Sequence, residues 1–306
     1  MRNTVINYLY EEAKKDKNIM LLIWDLWYWV VEEFQKNIPD QFINVGIAEQ
    51  NMIGIAAGLA LTWKKVFCYS IVPFVTMRCY EQIRVDICSQ NLDVTLIGVW
   101  WWFAYGSLGN THYGIEDINI MKWLPNMKIL APADKHEAKL CVEYLFAHKW
   151  PCYIRLNRWW EPDVYENWLS DISIENGIEF KTGNNISILS TGNILWNVIK
   201  TAEILEKQWI HTQVISIPCI KPMNTDAIVF HLKNKKWIFT VEEHTTIWWL
   251  WDSIASIIAE NEIVSIFKKF GISDIFPSLV GNQEYMRELV WLDPETLAKN
   301  ILMALS

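Results

Sequence analysis

A chain of 306 residues, 52% apolar and 20% charged, is long enough for two ordinary domains with buried cores, and its composition excludes a disordered or fibrous protein. A net charge of -8 argues against a nucleic-acid partner, whose phosphates require clustered Lys and Arg. The apolar runs are too short and interrupted to span a bilayer, and no basic-then-apolar segment suggests a signal peptide; a cytoplasmic protein without membrane partners is expected.

Apolar periodicity alternates between short continuous runs and a 3.6-residue pattern. An amphipathic first helix (Val5, Ile6, Leu9, Tyr10, Ala13) precedes the strand "NIMLLI". Strand "FINV" leads into helix "AEQNMIGIAAGLAL", and "VFCYSIV" into helix "RCYEQIRVDICS". Strand "VTLIGV", helix "IEDINIMK", strand "MKILA", helix "KHEAKLCVEYLFAH" and strand "CYIRL" complete the series. Asp134 and Glu137 have the spacing of a capping pair for the last of these helices. The pattern lapses between about 158 and 182. A second series follows: strand "ISILST", helix "ILWNVIKTAEILEK", strands "TQVISI" and "WIFTVEE", and helix "DSIASIIAEN". A last helix opens at Asp293-Pro294, an N-cap followed by a first-turn proline. The expected fold class is α/β, with two domains, each a mainly parallel sheet flanked by helices, at 1–160 and 183–306, joined by a linker at 161–182.

The six cysteines contain no C-x-x-C pair and the six histidines no H-x-x-x-H, so reduced buried thiols and no metal site within this chain are expected. The 19 tryptophans, against 12 glycines, are the anomaly. Trp63, Trp209 and Trp237 follow basic or polar helix ends and precede strands, where a left-handed residue, normally Gly, closes a helix. "WDLWYW", "VWWW" and "WWLWD" lie at strand ends or helix starts, where glycine-rich loops let backbone approach a ligand.

"FINVGIAEQNMIGIAAGLAL", "YSIVPFVTMRCYEQIR", "GNTHYGIEDINIMKWLPNMKILAPAD", "YIRLNR" and "VEEHTTIWWLWDSIA" together resemble the C-terminal half of a transketolase, its pyrimidine-binding and C-terminal domains, over nearly the whole chain. The resemblance is nearest to split transketolases, whose other half is a separate N-terminal subunit. Against that family, essentially every Trp stands where relatives tend to have Gly. The reading that follows is a UGA codon, tryptophan in one genetic code and glycine in another. Nineteen real Gly→Trp changes at roughly 1–3 kcal/mol each would exceed a stability of about 5–15 kcal/mol.

By position alone, Glu49 is an acidic residue favoured by a helix dipole. The resemblance implies more: a glutamate that hydrogen-bonds the aminopyrimidine of thiamine diphosphate and favours deprotonation of the thiazolium carbon. Phe74, 25 residues on, would stack on that ring, with Met77 and Tyr80 nearby, Met77 reading equally as core packing. His112 would reach the substrate. Arg158, and less clearly Arg155, would grip a sugar phosphate. Leu108 stands where sugar-specific transketolases often carry Asp, which leaves donor stereochemistry open.

Asp25 and Asn51 mimic the spacing of a diphosphate and Mg²⁺ motif, but Asp25 follows the first strand of the pyrimidine half, where relatives place no metal. The resemblance therefore implies that Mg²⁺ and the diphosphate are held mainly by an N-terminal partner subunit, with self-association into an α₂β₂ assembly. The activity implied is that of a transferase moving two-carbon ketol units between sugar phosphates in carbohydrate metabolism. A 2-oxo-acid dehydrogenase β subunit, a 1-deoxyxylulose-5-phosphate synthase-like enzyme and a non-catalytic orphan half acting as a binding module remain as alternatives.

Overall fold

The computed structural model describes residues 1–25, 30–99, 106–157 and 162–306. Its first half contains α1 (Arg2–Lys15), β1 (Ile19–Ile23), α2 (Glu32–Asn37), β2 (Phe42–Asn44), α3 (Glu49–Leu61), β3 (Lys65–Ile71), α4 (Val72–Thr76) and α5 (Tyr80–Gln82), the last continuing as a π-helical stretch, Ile83–Cys88. Then follow β4 (Val94–Val99), α6 (Asp117–Lys122), β5 (Lys128–Leu130), α7 (Lys135–Ala147) and β6 (Cys152–Leu156). The second half contains β7 (Ile178–Lys181), β8 (Ile186–Ser190), α8 (Leu195–Glu206), β9 (Thr212–Ser216), β10 (Cys219–Lys221), α9 (Thr225–Leu232), β11 (Trp237–Thr245), α10 (Leu250–Glu260), β12 (Ile266–Ile272), α11 (Gln283–Leu289) and α12 (Pro294–Leu305).

Two sheets result, in the orders β10-β5-β6-β4-β3-β1-β2 and β12-β11-β8-β9-β7. Every pairing is parallel except β10 with β5 and β7 with β9. The continuous apolar strands are continuous because helices cover both faces: β1, β4, β6, β8 and β9 are buried at every position. β10 has no counterpart among the expected elements, and it joins a three-residue piece of the second half to the first sheet. β7 lies inside the segment expected to be linker, because Ile178 buries against the core and Ser216 gives it an antiparallel partner. Asp134 caps α7 by accepting from the backbone N–H groups of His136 and Glu137, and Glu137 reaches back to the N–H of Ala133 at 2.6 Å. Asp293 caps α12 through Thr296 N–H at 2.9 Å. All six cysteines are buried and free.

Trp63, Trp209, Trp248 and Trp291 have φ of 67°, 62°, 56° and 63°, the left-handed region. All four indoles project outward, 90%, 84%, 55% and 68% exposed, so the strain is in the backbone rather than the packing. Trp237 behaves otherwise. It opens β11 as an ordinary strand residue, because α9 stops at Leu232 and Asn234, at φ 65°, takes the left-handed turn. The indole N–H groups of Trp24, Trp150 and Trp251 are buried without a hydrogen-bond acceptor among the described residues, an unusual state for a group that normally finds one. Trp27, Trp29, the Trp100–Trp102 triplet, Trp159 and Trp160 lie outside the described residues.

Glycine at the four left-handed positions relieves this strain. Trp63→Gly, Trp209→Gly, Trp248→Gly and Trp291→Gly are each expected to raise unfolding stability by ~1 kcal/mol, measured by denaturant titration. A loss at all four would refute the reading. The mass of the peptide over residues 99–112 from the source organism's own protein should correspond to three glycines in place of Trp100, Trp101 and Trp102; three tryptophans there would overturn it.

Candidate active site

In the first sheet β1 lies between β2 and β3, so the chain leaves β1 in one direction and β3 in the other. The carboxyl ends of such strands frame a crevice, the usual ligand position in a parallel α/β sheet. The segments that leave these ends carry the candidate residues. β1 is followed by Trp24, β2 by the turn to Glu49, β3 by Phe74 and Arg78, and β4 by the stretch that reaches His112.

The turn after β2 is built for a sharp reversal. Gly46 sits at φ 71°, and its N–H donates to Asn44 Oδ1 at 2.9 Å. Glu49 then begins α3, where N-terminal N–H groups favour a carboxylate, yet its side chain is only 1% exposed. Pro73 opens α4, which presents Phe74 to the same crevice. The Arg78 guanidinium carbon lies 4.2 Å from the Phe74 ring centroid, and Arg78 Nη1 lies 3.0 Å from both carboxylate oxygens of Glu49. His112 meets Phe74 edge-on, with centroids 5.5 Å apart, as does Trp24 at 5.4 Å. Thr111 Oγ1 is 2.8 Å from His112 Nδ1. Burial, and secondarily the charge of Arg78, hold the His112 imidazole below its ordinary pKa, which keeps it neutral and able to accept a proton. Tyr80 donates its hydroxyl to Ile120 O at 2.9 Å and so braces α6. Met77 is half-buried beside Arg78 in sequence.

Arg155 is placed differently from what the phosphate role requires. It is wholly buried on β6, with Nη2 2.9 Å from Asp117 Oδ1 and 3.0 Å from Gly114 O. Tyr153 donates to the other Asp117 oxygen at 2.6 Å. The group pins the 112–117 stretch to β6, and it offers no face to a substrate phosphate. Arg158 lies outside the described residues.

Beyond the crevice, Glu243 at the end of β11 accepts from Arg287 Nε at 2.8 Å and from Gln283. Glu242 accepts from Trp251 N–H at 2.7 Å, and burial pushes its carboxyl up to about 8. Between the ordinary value of 4.5 and about 8, the native chain keeps a proton that the unfolded chain has released, so stability falls as pH rises through that window. Burial raises Glu137 to about 7 with the same sign. Glu242→Gln is expected to flatten the decline in denaturation midpoint between about pH 5 and about pH 8; an unchanged slope would show that Glu242 is ionised in the native chain. The side chains of Asp134, His136 and Asp163 converge closely enough to suggest a metal. However, Asp134 already accepts from four backbone N–H groups, and Asp163 pairs with Lys135 at 2.5 Å.

Arg78 carries no role in the sequence-based expectations. Its position four residues after Phe74 is the one signal that could have placed it over that ring. The Glu49 pairing, across 29 residues, has no local signal.

Residues 1–159 match the family model for the transketolase pyrimidine-binding domain, and residues 177–297 that for the transketolase C-terminal domain. One of the two apulose-4-phosphate transketolase subunits of Actinobacillus succinogenes is 31% identical, over 87% of this chain and 86% of its own length. A putative transketolase C-terminal section from Methanocaldococcus jannaschii is 33% identical over 99% and 95%. A solved structure described as a split gene transketolase, inactive beta4 tetramer, superimposes with a TM-score of 0.87 at 28% identity, covering 99% of this chain and 97% of that one. With matched models, full-length relatives and a shared fold, the chain belongs to the transketolase family, as its pyrimidine-binding and C-terminal domains.

Proposed function

We propose that this chain is the C-terminal subunit of a two-subunit, thiamine-diphosphate-dependent transketolase that moves two-carbon ketol units between sugar phosphates. The observation that carries this reading is the pairing of a buried carboxylate, Glu49, with a flat N–H-bearing cation lying on Phe74. A planar aminopyrimidine, with hydrogen-bonding ring nitrogens, suits the same two surfaces. When bound, the cofactor supplies a carbanion-forming thiazolium carbon. Glu49 would hold and share a proton at the pyrimidine ring nitrogen, favoured by its dry surroundings. Phe74 would set the ring plane. His112, neutral and oriented by Thr111, would exchange a proton with a substrate hydroxyl or carbonyl oxygen. Arg158 would meet the substrate's phosphate.

A partner subunit is supported by the outer face of α3. Ideal side chains at Gly54 and Gly58 would meet nothing within 4 Å, and Ile47 and Leu61 at the two ends of this helix are 73% and 59% exposed. A small-residue surface beside Glu49 would admit another chain, which would bring the diphosphate and Mg²⁺ sites. The structure described as an inactive beta4 tetramer fits a chain that lacks those sites.

The test is reconstitution. This chain, mixed with a diphosphate-binding subunit, thiamine diphosphate, Mg²⁺, a ketose phosphate and an aldose phosphate, should transfer ketol units, whereas either subunit alone should not. Turnover that required a lipoyl acceptor would favour the 2-oxo-acid dehydrogenase reading instead.

A further inference from the structure

Three buried carboxylates among the described residues are paired with arginine, and one pair is unlike the others. Asp117 with Arg155 is sealed on both sides, each side chain 0% exposed. Glu243 with Arg287 is nearly so, at 0% and 8%. Glu49 with Arg78 is open: the carboxylate is 1% exposed and the arginine 44%. A purely structural pair gains most when both partners are enclosed and their remaining hydrogen bonds are met. Arg78 instead contributes a single nitrogen, Nη1, at 3.0 Å from both carboxylate oxygens, and its guanidinium lies flat enough over Phe74 to place its carbon 4.2 Å from the ring centroid. The other aromatic neighbours of Phe74, Trp24 and His112, meet it in T-shaped contacts.

We infer that Arg78 is a placeholder for the cofactor ring: in the chain alone it occupies the position of the aminopyrimidine, and it swings outward into solvent when that ring enters. The inference rests on the thiamine-diphosphate reading of the site. Arg78 presents what the ring would present, a planar π system on Phe74 and an N–H directed at Glu49. It also solves a folding problem. An unpartnered Glu49 carboxylate would be a buried charge, and burial without a partner is costly. A half-exposed arginine can supply the counter-charge in the free chain and be released without uncovering any core. The cofactor must then displace a contact already made, so Arg78 lowers the affinity of the half-site for the ring and favours loading only where the partner subunit adds its own contacts.

The test uses the full chain by itself and the free hydroxymethyl-aminopyrimidine half of thiamine as probe, with affinity read by calorimetry. Removing one part-exposed ion pair and one cation–π contact should tighten probe binding about tenfold in Arg78→Ala. Arg78→Lys, which keeps the charge but not the flat face, should fall between the two. In the unsubstituted chain, probe addition should remove the exchange protection of the Arg78 guanidinium protons. If the unsubstituted chain binds the probe and Arg78→Ala binds it equally or more weakly, Arg78 stays beside the bound ring as a positioning residue and the placeholder inference is overturned, while the cofactor reading stands. If neither form binds the probe, or if Glu49→Ala and Phe74→Ala leave its binding unchanged, the ring does not sit here and both readings fall.

Discussion

Glu49→Ala is expected to lower turnover of the reconstituted enzyme by about 10²–10⁴-fold, the range supplied by one positioned proton-transfer group, while the fold survives. The fold survives because the substitution removes a buried charge rather than creating one, and Arg78, 44% exposed, turns to water. The denaturation midpoint of the variant should stay within about 1 kcal/mol of the unsubstituted chain. Glu49→Gln separates shape from proton sharing. It keeps a hydrogen-bonding group at the start of α3 but has no proton to exchange, so its turnover should fall nearly as far. An assembly carrying Glu49→Ala that turned over at close to the normal rate would remove Glu49 from the chemistry, and with it the main support for the proposed cofactor site.

Arg155→Ala should cost about 3–5 kcal/mol of stability, a large part of the total for most domains. The variant leaves Asp117 wholly buried with Tyr153 as its remaining side-chain donor among the described residues, and it frees the carbonyl of Gly114. The loss should be seen as a fall in denaturant midpoint without a change in slope. Replacing both partners with apolar residues of similar volume, Arg155→Met with Asp117→Leu, should recover much of the loss, since the uncompensated charge is then gone. A structural role predicts this pattern. A substrate-gripping role predicts instead a raised KM with stability nearly unchanged, and that outcome would mean that the buried pair opens in solution. The 112–117 stretch held by this pair also bonds to the second half, through Thr245 N–H to Ile115 O at 3.0 Å, so loosening it should displace His112 as well.

Much of the fold can be read from local sequence because its signals are local. Strands buried on both faces read as unbroken apolar runs, and the caps at Asp134 and Asp293 need only a side chain and an N–H two or three residues away. The left-handed turns at Trp63 and Trp209 are equally local, since they follow from where a helix must stop. Trp237 shows the limit: its helix ends earlier than the periodicity suggests, and the turn falls on Asn234. β10 escapes a sequence reading because three residues carry no periodicity and its partner lies nearly ninety positions away, at β5. The same division holds within the site. Glu49, Phe74 and His112 stand out in sequence because their motifs are short and contiguous. Arg155 does not declare its role there, because a strand-end arginine looks the same whether it faces solvent or Asp117.

By itself, the sequence determined the α/β class, the identity of the family and the segments that carry its chemistry, all of which depend on residues near one another along the chain. Only the tertiary structure decided which of those charges are sealed and which are open. That depends on desolvation and on partners brought together across 29 residues for Glu49 and Arg78 and across 38 for Asp117 and Arg155, distances over which sequence carries no periodic signal.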